Sequence, residues 1–217
     1  TRKIEEYYNI NNVILTCNGT VPLLLAMHKM EYGDEVITTP FSYVATTSSI
    51  LFLKLKPVFV DIEEDSFCMD HSKIVEKITE KTRAILITHV FGNVGNIEAY
   101  TQIAQDYGLE LIFDAAHSFN TYYRGKSIFA YGDLVATSFH ATKIFHTAEG
   151  GMLVVNRANY RDYLEISKIG HSGAYTYNSH PGINMKMSEL NASLGLAVFE
   201  NAIKSIDIRR RNYNLFK

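Results

Sequence analysis

Seven short runs of mostly apolar residues, separated by stretches with helical periodicity, constrain the fold of this chain more than any other feature. The runs are Val13–Thr16, Glu35–Thr38, Val58–Asp61, Ala84–His89, Glu110–Phe113, Leu134–Ser138 and Met152–Asn156. Most are apolar nearly throughout, which suits parallel strands covered on both faces. Helical patterns fall at Val21–Met30, Val44–Leu53, His71–Ile78, Ile97–Tyr107, Tyr160–Ile169 and Ser188–Ile203. In the fourth of these, Ile97, Tyr100, Ile103, Ala104 and Tyr107 share one stripe, and Gly108 supplies a left-handed stop. Strand–helix alternation predicts βαβ units. The expected fold is α/β, a three-layer α/β/α sandwich around a mostly parallel seven-stranded sheet.

Composition removes several classes of function. With 217 residues, 47% of them apolar, the chain can bury one sizeable core. A net charge of -2 leaves no basic footprint for nucleic acid. The triplet Arg209-Arg210-Arg211 reads as a solvated helix face. No apolar run approaches the roughly 20 residues that span a bilayer, so no membrane partner is expected. Cys17 and Cys68 are too few for a disulfide framework and point to reduced thiols in the cytoplasm. The first residue is not Met, and Arg209 to Lys217 read as a helix still in progress. These ends suggest a piece of a longer protein.

Ligands of open α/β sheets bind beyond the carboxyl ends of the strands. After Val13–Thr16 comes Cys17-Asn18-Gly19-Thr20-Val21, a small turn at a helix start that suits a phosphate, or an ordinary cap by Asn18 or Thr20. After Glu110–Phe113 comes Asp114, a carboxylate that is costly to bury without a cationic partner, or else a cap for the next turn. After Leu134–Ser138 comes a loop with Lys143, followed by Glu149-Gly150-Gly151. Phosphate turn, carboxylate and lysine on one sheet edge are the three anchors that pyridoxal phosphate needs, for its phosphate, ring nitrogen and aldehyde. Gly170 to Gly182 is the one long irregular stretch, and its His171 is a candidate for substrate contact. His140 and His146 carry no assigned role.

The ordered segments Asn18-Gly19-Thr20, Gly33 to Ile37, Pro40-Phe41-Ser42-Tyr43-Val44-Ala45-Thr46, Pro57 to Asp61, Asp114-Ala115-Ala116-His117, Ser138 to Lys143, Glu149 to Gly151 and Gly182 to Met187 resemble the nucleotide-sugar aminotransferases. These are fold-type I pyridoxal-phosphate enzymes. The wording around Lys143 is most similar to the transaminases that make dTDP-4-amino-4,6-dideoxyglucose. The resemblance implies that Lys143 forms the Schiff base and acts as the proton-shuttling base, and that Asp114 pairs with the pyridine nitrogen. His117 would bond the ring oxygen and Tyr43 stack on the ring. Gly19, the backbone of Thr20 and Val21, and Ser138 would hold the phosphate. Asn184 would reach the site of a partner subunit in a homodimer. The implied substrates are an amino-acid donor, usually L-glutamate, and a nucleotide-linked 4-keto-6-deoxy sugar, with ping-pong kinetics and a product destined for O-antigen or a similar glycan.

Residues 1–205 would then be the cofactor-binding large domain, shortened at its N-terminus. Residues 206–217 would begin the connection to a C-terminal small domain. Three other readings stand beside this one. A sugar dehydratase of the same family would carry histidine in place of Lys143. An inactive fragment or cofactor-binding regulator is a second, and a generic nucleotide-binding domain is a third. No G-x-G-x-x-G follows any strand, which speaks against the last.

Overall fold

A computed structural model describes residues 1–168 and 182–217. Helix α1 (Arg2–Tyr8) precedes strand β1 (Val13–Thr16) and helix α2 (Val21–Met27). Then come β2 (Glu35–Thr38), α3 (Val44–Phe52), β3 (Lys56–Phe59) and β4 (Thr82–Thr88). After α4 (Ile97–Tyr107) and β5 (Glu110–Asp114), a small hairpin of β6 (Tyr122–Tyr123) and β7 (Lys126–Ser127) interrupts the alternation. The described chain continues with β8 (Leu134–Ser138), β9 (Gly151–Val155), α5 (Tyr160–Ser167) and the long α6 (Glu189–Phe216).

Seven strands form one sheet in the order β1-β9-β8-β5-β4-β2-β3. Neighbours from β8 through β5, β4 and β2 to β3 pair in parallel. Strand β9 runs antiparallel to both β8 and β1. The alternation of side chains across the pleat divides the core into two layers. Ile85 and Ile87, Leu111 and Phe113, and Met152 and Val154 face a cluster with Ile4, Ile97, Tyr100 and Phe199 of α1, α4 and α6. Leu86, Ile112, Leu153 and Val155 face a second cluster with Leu23, Leu25, Ile50 and Tyr163 of α2, α3 and α5. Both faces are therefore dry, which is why these strands read as continuous apolar runs, and the expected three-layer fold is present.

Three strands keep the bounds read from the sequence, and four shift at their ends. Strand β3 begins two residues earlier than expected, at Lys56. It contains Pro57 and lies at the sheet edge, where a missing backbone N–H costs no ladder bond. The helix expected over His71–Ile78 is instead two short 3-10 turns, His71–Lys73 and Val75–Lys77. Only Ile74 is buried there, too small an apolar face to hold an α-helix, and Val75 is exposed. Gly108 has the left-handed conformation that ends α4, with φ 65°, but Tyr107 on the expected stripe is exposed. Helix α6 extends the expected Ser188–Ile203 to Phe216, and Arg209-Arg210-Arg211 lie exposed on it. Helix α1 and the hairpin, whose turn residues Arg124 and Gly125 have positive φ, were not legible as elements. No helix among the described residues is long and apolar enough to cross a membrane.

The start of β9 tests the packing. A Cβ on Gly151 would lie 2.4 Å from the Asn18 carbonyl oxygen and 2.7 Å from that of Thr137. Both are backbone atoms of packed strands and turns and cannot swing aside. Gly151→Ala is expected to cost about 3 kcal/mol, a fall of roughly 6–12 °C in the thermal midpoint followed by circular dichroism. An unchanged midpoint would mean that this junction yields freely.

Candidate active site

Sheet register gathers the sequence-predicted groups. Thr16, Gly151 and Ser138 are mutual partners in one row across β1, β9 and β8. Ala136, Asp114 and Thr88 form a second row across β8, β5 and β4. Both rows lie at the edge where the parallel strands end, so the turn after β1, the carboxylate of β5 and the loop after β8 share one rim.

The turn Asn18-Gly19-Thr20 sits hard against Ser138. A Cβ on Gly19 would approach Ser138 Cβ to 2.4 Å and Oγ to 2.6 Å, so only glycine allows the contact. The Asn18 side chain caps α2, its Oδ1 accepting from the backbone N–H groups of Thr20 and Val21 at 3.0 Å each. The two N–H groups expected to meet a phosphate thus already have a partner. Ser138 Oγ accepts from the His140 N–H at 3.3 Å.

Asp114 ends β5 and is buried. Its Oδ2 accepts from Thr46 Oγ1 at 2.7 Å and its Oδ1 from the Ala116 N–H at 3.2 Å. Burial pushes its pKa up, opposed first by the Thr46 hydroxyl, then by the Ala116 N–H and by His117 and Lys143. Lys143 is half-buried on a loop held at both ends by the buried rings of Phe139 and Phe145, which meet edge to face at 4.9 Å. Burial lowers its pKa, and Asp114 opposes that shift. Each group therefore feels the other's charge.

His117 is exposed, and its Nδ1 accepts from the Phe91 N–H at 3.2 Å. That bond assigns the remaining proton to Nε2, leaving a neutral ring with one outward donor. Partial desolvation of the ring, then Lys143, lowers its pKa, which favours this neutral form. Phe91 adopts φ 57°, a strained value for a residue with a side chain, and its ring lies parallel to His117 with centroids 6.1 Å apart. Tyr43 is 76% exposed at the N-cap of α3, one turn before Thr46. Asn184 is exposed and bridges Lys168, while the Cys17 N–H donates to Met185 O, which ties this segment to the turn after β1.

The structure thus brings Gly19, Thr20, Val21, Asp114, His117, Ser138 and Lys143 to one rim, with Tyr43 and Asn184 on neighbouring segments. His140 bonds Thr142 and lies 3.7 Å from Glu149. His171 and most of the irregular stretch that contains it lie outside the described residues. Sequence reading missed the Thr46 contact to Asp114 and the Phe91 contact to His117. A signal for the first was present: Thr46-Thr47-Ser48-Ser49 is a run of poor helix formers opening a helix.

Known proteins share this fold and much of this sequence. Over 201 residues the chain is 40% identical to the dTDP-4-amino-4,6-dideoxy-D-glucose transaminase of Shigella dysenteriae, spanning 92% of this chain and 54% of that protein. The crystal structure of DesI in the presence of its TDP-sugar product matches with a TM-score of 0.90 at 29% identity, over 98% of this chain and 54% of DesI. NtdA from Bacillus subtilis, with bound cofactor PMP, matches with a TM-score of 0.83 at 29% identity, over 90% of this chain and 45% of NtdA. The chain spans about half the length of these relatives. Residues 1–217 match the model of the DegT/DnrJ/EryC1/StrS aminotransferase family throughout, and the chain belongs to that family.

Proposed function

We propose that the chain is the cofactor-bearing part of a pyridoxal-phosphate aminotransferase that moves an amino group from an amino acid, such as L-glutamate, to a nucleotide-linked 4-keto-6-deoxy sugar for surface-glycan synthesis. The observation that carries this reading is the mutual placement of a buried carboxylate and a half-buried lysine at a strand-end rim. Asp114 is a charge in search of a cation, with two hydrogen bonds against about four lone-pair sites. Lys143 is the nearby amine whose burial favours the neutral, nucleophilic form. Ser138, held against Gly19, supplies a hydroxyl on the same rim. These residues fit the group's ring nitrogen, aldehyde and phosphate.

When bound, the cofactor supplies an electron-withdrawing ring that lets the amino acid's α-proton leave. Asp114 holds the ring nitrogen's proton. Lys143, once free, takes the α-proton on Nζ and delivers it again, a role that needs a pKa below the ordinary lysine value. His117 donates from Nε2 to the ring oxygen, and Tyr43 offers an exposed ring for stacking. Ser138 and the Thr20 and Val21 N–H groups at the start of α2, which donate to the Asn18 carboxamide here, would hold the phosphate.

Asn184, exposed beside that turn, reaches the site of a second copy in a homodimer. Residues 1–205 form the cofactor-binding unit, and 206–217 lead to a small domain. The exposed Ile208, Tyr213, Leu215 and Phe216 of α6 support a further packing partner there. Cys17 and Cys68 as free thiols fit a cytoplasmic protein. The sugar class follows the Shigella relative's name.

Two outcomes check this reading. With pyridoxal phosphate the chain should develop the visible absorption of a lysine-linked cofactor, which L-glutamate bleaches and which Lys143→Ala lacks. A folded wild-type chain without that band, or a variant that keeps it, would sink the assignment. In the cofactor-free chain Asp114 opposes the depression of the Lys143 pKa. Asp114→Asn removes a negative charge that favours the ammonium form, so Lys143 should become reactive at lower pH. Reductive labelling with an aldehyde, read by peptide mass spectrometry across pH, measures the shift. An unmoved or raised profile would show that the two groups do not sense each other.

A further inference from the structure

We propose that three hydroxyls in series, Thr88, Ser42 and Thr46, position Asp114 and keep it ionised, which makes Ser42 and Thr46 positioning residues for the reaction. Thr88 Oγ1 donates to Ser42 Oγ at 3.1 Å, Ser42 Oγ and Thr46 Oγ1 lie 2.6 Å apart, and Thr46 Oγ1 donates to Asp114 Oδ2 at 2.7 Å. A hydroxyl has one proton to give. Thr46 spends its proton on the carboxylate, so Ser42 must donate to Thr46, as Thr88 donates to Ser42. All three protons therefore point toward Asp114, and hydrogen bonds in such a series polarise one another. The direction can reverse only when Asp114 is itself protonated.

The alternative is that these are routine helix-start contacts, since Ser42 and Thr46 stand four residues apart around the N-terminus of α3. Routine hydroxyls of this kind bond backbone, as Ser49 does to Ala45 O at 2.7 Å and Thr101 to Ile97 O at 2.8 Å. The series from Thr88 instead crosses from the end of β4 through the loop before α3 to the end of β5 and stops on a carboxylate. Thr46 is fully buried and Thr88 and Asp114 nearly so, while Ser42 is partly exposed, so water competes little for the bond from Thr46 to Asp114.

The charged groups that face Asp114 do not replace this support. Helix α3 carries no ionisable side chain. Lys143 and His117 act through charge at longer range, below the hydroxyl in effect. His89, next to the end of β4, is fully buried and packs on Phe113 at 4.6 Å. Burial, only partly offset by the Asn93 backbone, holds it at about 4, so it is neutral near pH 7. The Thr46 hydroxyl that ends the series is thus the largest single contact favouring the charged carboxylate, while Asp114 Oδ1, which accepts the Ala116 N–H, has a further lone pair for a cationic partner.

The test titrates Asp114 directly by carboxyl carbon NMR in the cofactor-free chain, with the resonance assigned through Asp114→Asn. The midpoint should move upward in Thr46→Val, upward by less in Ser42→Ala, and stay at the wild-type value in Thr46→Ser. The consequence for the cofactor rests on the function proposed above: Thr46→Val should bind pyridoxal phosphate about tenfold more weakly near pH 7, and Thr46→Ser should not. Unmoved midpoints in both Thr46→Val and Ser42→Ala would overturn the proposal, as would a Thr46→Ser midpoint as displaced as that of Thr46→Val. If Thr46→Val does not fold, Ser42→Ala and Thr46→Ser decide the matter. The titration needs no cofactor, so a wild-type chain that binds none would refute the function and leave the hydroxyl series still tested.

Discussion

Asp114 closes a strand that is dry on both faces, and an ionised carboxylate in that position must be compensated or neutralised. Much of the local architecture answers this demand. Thr46, in the first turn of α3, and the Ala116 N–H bond its two oxygens. Lys143 contributes charge from the rim, on a separate loop from the neutral His117. The loops that carry them are fixed in turn by the buried Phe139 and Phe145 and by the Phe91 N–H to His117 bond. The site is therefore a set of responses to one buried charge, drawn from four strand ends.

The placement of those responses depends on backbone approach as much as on side-chain chemistry. Gly19 lets the turn after β1 lie on Ser138, and Gly151 lets β9 start beneath the Asn18 carbonyl. Side chains at either position would separate the phosphate-type turn from the lysine loop. The antiparallel β9 matters here because it brings the row Thr16, Gly151 and Ser138 into register. A crossover helix is not needed between β8 and β9, and the loop between them is free to carry Lys143.

The hydroxyl series fits the same scheme. Under the function proposed above Asp114 would meet a protonated ring nitrogen, a task for the ionised form, and burial favours the neutral one. The hydroxyls oppose part of that effect without adding a cation that would compete for the same oxygen. This favours the charged form of Asp114 while leaving it available.

Period and composition determined the fold class. Strands buried on both faces must be apolar at successive positions, and the helices between them need only one apolar stripe, so seven strands and their sheet type were visible in the residues. The placement of Asp114, Lys143, Ser138 and the Gly19 turn was legible too, because each ends a strand or lies in the segment after one, and strand ends share a rim. Elements with little apolar burial were not legible: the 3-10 turns over His71–Lys77 and the two-residue strands at Tyr122 and Lys126 carry no periodic signal. The strand order, the antiparallel β9, the bond from Thr46 to Asp114 and that from Phe91 to His117 were decided only in three dimensions. They join residues 26 to 68 positions apart or more, and no local pattern encodes which distant hydroxyl or amide will meet a buried charge.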